Sequence, residues 1–112
     1  MPVVKGIDVL QKEHKGHYAI GAFNFNNMET LQAILEAAAE LSSPVIVEAS
    51  EGALAYAGVS TLSALVLSLT KTYSIPVVLH LDHGKDFRMI MAALKAGFTS
   101  IMIDASFYPY EE

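Results

Sequence analysis

The segment SIPVVLHLDHG (Ser74–Gly84) is an apolar run that ends in three polar side chains and a glycine. A second segment, SSPVIVEASEG (Ser42–Gly52), follows the same plan: a proline opens it, apolar residues follow, polar residues come next, and a glycine ends it. Strands that are apolar on both faces are typical of parallel sheets covered by helices. The repeat therefore predicts successive βα units.

Apolar residues recur at helical spacing between these strands, which predicts an alternating order of elements. Asn26, Ser60 and Asp86 are predicted as helix N-caps, and Gly97 as the residue that ends the last helix. The predicted elements, in chain order, are a helix over Val4–Lys15, a strand over Tyr18–Phe25, a helix over 28–41, a strand over 44–50, a loop containing Gly52 and Gly58, a helix from Ser60, a strand from Pro76, a helix from Asp86 and a strand over Phe98–Ala105.

This order places the chain in the α/β class and fits two architectures, an open doubly wound sheet or part of a (β/α)₈ barrel. A complete barrel needs roughly 250 residues, whereas this chain has 112. An N-terminal helix, about four strands and three helices would make the N-terminal half of such a barrel. We therefore expect residues 1–112 to form one partial domain, truncated where a fourth helix would begin.

Composition excludes several classes of protein. Apolar residues make up 53% and charged residues 17% of the chain, enough for a buried core. The net charge is -5 and the cations are scattered, so neither nucleic acid nor an anionic membrane is expected as a partner. No apolar run approaches the roughly 18 residues of a membrane span. The absence of cysteine excludes thiolate sites and fits a reducing cytoplasm, where we expect this chain to be soluble.

Polar side chains collect at the C-terminal ends of the predicted strands. In parallel α/β folds, ligands bind at that edge because the βα loops open there. The sequence therefore predicts a functional site formed by Asn24, Glu48, Ser50, His80, Asp82, His83, Asp104 and Ser106.

The His-Leu-Asp-His-Gly segment supports metal or acid–base chemistry. A neutral imidazole is a good zinc ligand, and a neighbouring carboxylate can orient it or transfer protons. Strand alternation places His80 and Asp82 on one face and His83 on the other. We expect a bend at Gly84 to bring Asp82 and His83 into one site.

Each of these residues also has a purely structural reading. His80 could be a hydrogen-bonded core histidine, and Asp82 could cap a helix. Ser50 and Asp104 could be turn residues, and Asn24 could belong to the turn that enters the next helix. The residues alone leave these alternatives open.

Four segments in order, GAFNFNNMETLQAILEAA, SPVIVEASEGA, PVVLHLDHG and AGFTSIMIDAS, carry a family resemblance over nearly the whole chain. The chain resembles the class II, metal-dependent fructose-bisphosphate and tagatose-bisphosphate aldolases. The resemblance implies a (β/α)₈ barrel that uses Zn²⁺ in glycolysis or related sugar metabolism. The implied reaction is reversible cleavage of a ketose 1,6-bisphosphate to dihydroxyacetone phosphate and glyceraldehyde 3-phosphate.

The resemblance also implies roles for individual residues. Asp82 corresponds to the proton donor to the aldehyde oxygen, and His83 corresponds to a zinc ligand. Asp104 corresponds to a carboxylate at a second or alternate divalent-metal position. Ser50 and Asn24 correspond to residues that contact the phosphorylated sugar.

The family's other zinc ligands and most of its phosphate site lie in the second half of the barrel. We therefore expect negligible activity from this chain alone and a homo-oligomer for the full-length enzyme. His80 would support the site, and Phe107 departs from the histidine usual in the family. The alternatives are a non-catalytic half-barrel that dimerises, or another metal-dependent barrel enzyme such as a hydrolase.

Overall fold

The computed structural model describes residues 3–112, which form a four-stranded parallel sheet with helices between the strands. The strands pair in chain order, β1-β2-β3-β4. The elements are α1 (Gly6–Gly16), β1 (Ala22–Asn24), α2 (Met28–Glu40), β2 (Val45–Ser50), α3 (Glu51–Ala57), α4 (Val59–Leu69), a 3₁₀ turn (Thr70–Thr72), β3 (Val77–Gly84), α5 (Phe87–Ala96) and β4 (Ser100–Ile103).

One face of the sheet carries the core. Alternate residues of β2 and β3 point to this face, where apolar side chains of α2, α4 and α5 cover them. Burying each such leucine or valine contributes roughly 1.5–3 kcal/mol before the entropy of ordering is subtracted. The fully buried members include Leu31, Leu35, Val47, Leu62, Val66, Val77, Leu79 and Leu81.

Helix α1 covers the lower part of the opposite face. Gly6 is buried against β4, where an added Cβ would lie 3.3 Å from the Cβ of Ser100. Ahead of the helix, the backbone N–H of Val4 donates to the carbonyl oxygen of Val77 at 2.8 Å. The helix therefore packs at the N-terminal ends of the strands and leaves their C-terminal ends open.

The segment after β2 differs from the sequence prediction. Where a loop was expected, Glu51–Ala57 forms the short helix α3, capped by the side chain of Ser50. Gly52 therefore lies inside a helix, and only Gly58, at φ 95°, breaks the chain before α4. The next helix begins at Val59 with Gly58 in the cap position and no side-chain cap, so the prediction that Ser60 caps it is wrong.

Other boundaries are partly confirmed. Asp86 caps α5, and Gly97 ends it in the left-handed region at φ 105°. Asn27 rather than Asn26 caps α2, since its side chain accepts a hydrogen bond from the backbone N–H of Thr30 at 2.9 Å. The first and last strands are shorter than predicted, because β1 begins at Ala22 and β4 spans only Ser100–Ile103.

Within residues 3–112, no single helix is long and apolar enough to cross a membrane. Glu51–Ala57 and Val59–Thr72 pass that test of length and composition only as a pair, and they are bent by 91° at Gly58.

Candidate active site

The strand register brings polar side chains of four strands into rows across the open face. Glu48 of β2 is paired with Asn24 of β1 on one side and with His80 of β3 on the other. His80 is in turn paired with Ser100 of β4. Paired residues of parallel strands point to the same face, so these four side chains form one row.

A second row lies nearer the C-terminal ends, where Ser50 is paired with Asp82. The side chain of Asn24 reaches this row, because its Nδ2 donates to Oδ2 of Asp82 at 3.4 Å. The structure therefore brings the proposed proton donor and both proposed substrate-binding residues to the same edge.

His83 reaches this edge through a break in strand regularity. The pairing of β3 with β4 shifts register between Leu81 and Gly84, and His83 has φ 50° in the left-handed region. This conformation is uncommon for a residue with a side chain. It brings the His83 imidazole within 3.8 Å of the Asp82 carboxylate, measured from Nε2 to Oδ1.

The predicted bend is therefore present, but the residue with the unusual backbone conformation is His83 rather than Gly84. Gly84 is required for a different reason. An added Cβ at Gly84 would lie 2.9 Å from Cγ1 of Ile90 and 3.1 Å from the carbonyl oxygen of Met102. Gly84 thus permits the close approach of α5 and β4, and its carbonyl oxygen accepts from the backbone N–H of Asp104 at 2.8 Å.

Asp104 holds the His83 ring. Its Oδ2 lies 2.8 Å from Nδ1 of His83, while its Oδ1 accepts from the hydroxyl of Ser106 at 2.7 Å and from the Ser106 backbone N–H at 3.0 Å. The bonds from Ser106, and then that from His83, hold the pKa of Asp104 well below its ordinary value. The same Asp104 bond, with the nearby charge of Asp82, raises the pKa of His83.

This pairing has a consequence for ligand binding. In the neutral ring, a proton on Nδ1 directed at Asp104 leaves the lone pair on Nε2, and the His83 side chain is 53% exposed. Carboxylate–histidine pairs of this kind orient metal-ligating histidines. His83 is therefore suited to donate Nε2 to a metal ion. As one histidine, it falls short of the three or four ligands that zinc takes.

Sequence reasoning gave Glu48 no separate role, yet its carboxylate lies beside His80. Oε2 of Glu48 is 3.9 Å from Nε2 of His80, whose Nδ1 is hydrogen-bonded to Oγ of Ser100 at 2.6 Å. Burial raises the pKa of Glu48, and the charge of Asp82 adds to the rise. Burial also lowers the pKa of His80, which favours its neutral form.

A signal for Glu48 was present in the repeated segments. Each residue of the pair Glu48 and His80 stands four positions after its proline, Pro44 or Pro76. Aligning the two prolines therefore gives the register that the sheet adopts.

Glu51 is a further residue that sequence reasoning left without a role. Its Oε2 accepts from the backbone N–H of Lys85 at 3.0 Å and from that of Asp86 at 2.8 Å. It thereby ties the start of α3 to the loop that follows His83.

Between β1 and β2, the edge opens into a cleft of about 470 Å³. Asn24 and Ser50 line it, together with Asn26, Thr30 and Tyr56. Ser50 also has the structural role that was left open, since its Oγ accepts from the Ala53 backbone N–H at 3.2 Å.

Three other residues were given purely structural alternatives from the sequence: His80, Asp82 and Asn24. His80 is hydrogen-bonded through its Nδ1, but it lies on the open face rather than in the hydrophobic core. Asp82 does not cap the next helix, because Asp86 does so. Asn24 lies in β1 rather than in the turn that enters α2.

Parallel βα units with histidine and carboxylate side chains at the C-terminal ends of their strands have the arrangement that (β/α)₈ barrels use for their functional sites. The chain matches the model of the class II fructose-bisphosphate aldolases over residues 4–112. It is 50% identical over 111 residues to the fructose-bisphosphate aldolase of Helicobacter pylori J99, covering 98% of this chain and 36% of that protein. A probable fructose-bisphosphate aldolase of Bacillus subtilis is 49% identical over 115 residues, covering 100% and 40%.

Solved structures agree with these matches. The YdjI aldolase of Escherichia coli K12 superimposes with a TM-score of 0.89 at 32% identity, covering 98% of this chain and 43% of that one. The chain belongs to the class II fructose-bisphosphate aldolase family. It spans well under half the length of the relatives it matches and has the fold of the N-terminal half of a (β/α)₈ barrel. The family and fold expected from the sequence are thus confirmed.

Proposed function

We propose that this chain supplies the N-terminal half of a class II aldolase site. The reaction is the reversible, Zn²⁺-dependent cleavage of a ketose 1,6-bisphosphate, fructose or tagatose, to dihydroxyacetone phosphate and glyceraldehyde 3-phosphate. The observation that carries the proposal is the His83–Asp104 pair, 2.8 Å apart, beside the Asp82 carboxylate at the open strand ends. Cytoplasmic sugar metabolism is the setting we propose, consistent with a chain without cysteine.

His83 would hold the metal through Nε2, because Asp104 occupies its Nδ1. The remaining ligands would come from the part of the enzyme beyond this chain. Zn²⁺ bound there supplies Lewis-acid stabilisation of the negative charge that develops on the substrate oxygens when the carbon–carbon bond breaks. Both carboxylate oxygens of Asp104 are engaged in hydrogen bonds. Its role at a second divalent-metal position would therefore require the bond to His83 to open.

Asp82 would transfer the proton on the aldehyde side of the reaction. Its side chain is 22% exposed, so it is accessible from the strand ends yet partly shielded from water. The amide of Asn24 donates to its Oδ2 and would fix the orientation of the carboxylate. A positioned general acid of this kind typically contributes a factor of about 10² to 10⁴ in rate.

Asn24 and Ser50 would bind the phosphorylated sugar in the cleft that they line. The Ser50 hydroxyl already accepts from a backbone N–H, which leaves its own hydrogen free to donate to a substrate oxygen. Most of the charge neutralisation of the two phosphates would have to come from outside this chain, which carries a net charge of -5.

The test is a reconstitution. The purified chain is assayed with Zn²⁺ and either fructose or tagatose 1,6-bisphosphate, alone and within a polypeptide that completes the barrel. We expect negligible turnover by the chain alone and turnover by the completed barrel. Asp82→Asn should lower kcat of the completed enzyme by about 10² or more, whereas the control Asp8→Asn, in α1, should not. Robust turnover by the chain alone would contradict the half-site proposal.

A second candidate is a half-barrel that assembles without catalysis. The observation in its favour is that the outer strands carry exposed apolar side chains, Phe23 at 52% and Ile103 at 71%. Open strand edges of this kind pair readily with other chains. A stable dimer in solution that binds no Zn²⁺ would favour this candidate over the aldolase half. If the first candidate holds, the completed enzyme is proposed to be a homo-oligomer acting on a phosphorylated sugar.

A further inference from the structure

Three side chains of β2 and β3 converge at a point that the proposed aldolase chemistry does not use as a metal position. They are Glu48, His80 and Asp82, and each offers one ligand atom within 4.8 Å of the other two. The strands determine this convergence, because Glu48 and His80 are register partners and Asp82 follows two residues later on the same face.

The Glu48 carboxylate and the His80 imidazole lie close together without a hydrogen bond between them. The 3.9 Å between Oε2 of Glu48 and Nε2 of His80 is too long for a hydrogen bond. Around a tetrahedral ion, two ligand atoms that each lie about 2.0–2.2 Å from the metal are roughly 3.3–3.6 Å apart. The observed separation is a few tenths of an ångström longer, so a small rotation of either side chain would let one ion join the two atoms.

His80 is prepared to act as a ligand. Its Nδ1 is held by Oγ of Ser100 at 2.6 Å, which fixes the ring and directs Nε2 toward the carboxylates. A histidine whose other ring nitrogen is held by a neighbouring oxygen is the usual arrangement of metal-ligating histidines. Ser100 lies on β4, outside the cluster, and therefore adds an independent observation.

The charge of the cluster also calls for a cation. Glu48 and Asp82 bring two carboxylates together with only 15% and 22% of their side chains exposed. Like charges in a partly desolvated site repel each other unless a proton or a cation neutralises one of them. A divalent ion between them would remove that repulsion and use the free nitrogen of His80.

We infer that Glu48, His80 and Asp82 form a binding site for a divalent first-row cation of the zinc type, separate from the position beside His83. One imidazole and two carboxylates suit Zn²⁺ or Co²⁺ better than Ca²⁺ or Mg²⁺, which prefer oxygen alone. Asp82 lies between the two positions, since its Oδ1 is 3.8 Å from Nε2 of His83.

The experiment measures cation binding by the 112-residue chain without substrate, so its result does not depend on catalysis. Zn²⁺ is titrated calorimetrically, and Co²⁺ is followed by its visible absorption. We expect one tight equivalent, weakened at least about tenfold by Glu48→Gln and by His80→Asn. The matched control His14→Asn, at an exposed histidine of α1, should retain the tight equivalent. His83→Asn is measured beside it to show whether the ion depends on the neighbouring ligand instead.

Two results would overturn the inference: no tight equivalent in the unaltered chain, or affinity that depends on His83 and is unchanged in Glu48→Gln. The second result would still be compatible with the aldolase proposal, so the two failures are distinguishable. Circular dichroism checks that each variant is folded. If His80→Asn does not fold, the nearly isosteric Glu48→Gln decides the question.

Discussion

Replacing Gly84 by alanine should destabilise the chain and disturb the candidate site together. The new Cβ would lie 2.9 Å from Cγ1 of Ile90, 3.0 Å from Cδ2 of Leu81 and 3.1 Å from the backbone oxygen of Met102. Two of these atoms belong to side chains that can shift, but the third is backbone of β4. Overpacking of this kind costs about 1–3 kcal/mol.

Urea denaturation of the chain measures this cost. With a dependence of about 2 kcal/mol per molar urea, a loss of about 2 kcal/mol lowers the midpoint by about 1 M. The site should respond as well, because the Gly84 carbonyl accepts from the backbone N–H of Asp104. Displacing that carbonyl should weaken the bond from His83 to Asp104, which the imidazole resonances of His83 report by NMR.

Gly52→Ala is the matched control. An added Cβ there meets only Oγ of Ser50 at 3.6 Å, an ordinary contact, and the residue lies within α3. Alanine should therefore raise the free energy of unfolding by roughly 0.5–1 kcal/mol. If Gly84→Ala were as stable as the unaltered chain, the close approach of β4 and α5 would not be the reason for glycine at this position.

Four further predictions concern three single contacts. Asp104→Asn should lower the pKa of His83, since the Asp104 bond is the largest cause of its rise. NMR titration of the imidazole measures this pKa, and an unchanged value in the variant would contradict the prediction. The His83–Asp104 pair should stabilise the fold most between about pH 3.8 and 6.5. The stabilisation should fade as pH falls toward the lowered pKa of Asp104 or rises through the raised pKa of His83. Asp104→Asn should remove the loss at low pH and reduce the loss at high pH, where the charge of Asp82 still raises the pKa of His83. Glu51→Ala should speed hydrogen exchange of the Lys85 and Asp86 amides by at least about fivefold, which corresponds to close to 1 kcal/mol. Glu51→Gln should give an intermediate rate. Equal rates in the unaltered chain and both variants would show that the contact contributes nothing. Ser63→Ala should cost about 1 kcal/mol in thermal unfolding, because the buried hydroxyl donates to the carbonyl of Ala96; an unchanged melting temperature would contradict this.

The elements with strong local signals could be predicted from the sequence. The strands that follow Pro44 and Pro76, the cap at Asp86 and the end of α5 at Gly97 all depend on nearby residues, and all are present. The polar edge was also predictable, because parallel strands must bring their carboxyl ends together.

What the sequence did not reveal depends on distant partners or very short elements. Helix α3 has seven residues, too few for a clear helical period, and Gly52 inside it suggested a loop. The left-handed conformation of His83 accompanies the register shift against β4, a strand about 20 residues later. No local pattern contains that information. The residue roles in catalysis and metal binding stay predictions until the experiments above are done.

The pairing of strands in chain order also bears on how the chain acquires its structure. Each strand pairs with its predecessor in the chain, so the sheet forms by closing loops of one βα unit, between 20 and 32 residues long. The entropy cost of closure grows only slowly with loop length. Folding can then advance unit by unit from the N-terminus during synthesis. Strands β2 and β3, which carry Glu48, His80 and Asp82, then pair before β4 has been synthesised. The geometry of His83 would follow later, once Asp104 is available to hold its ring.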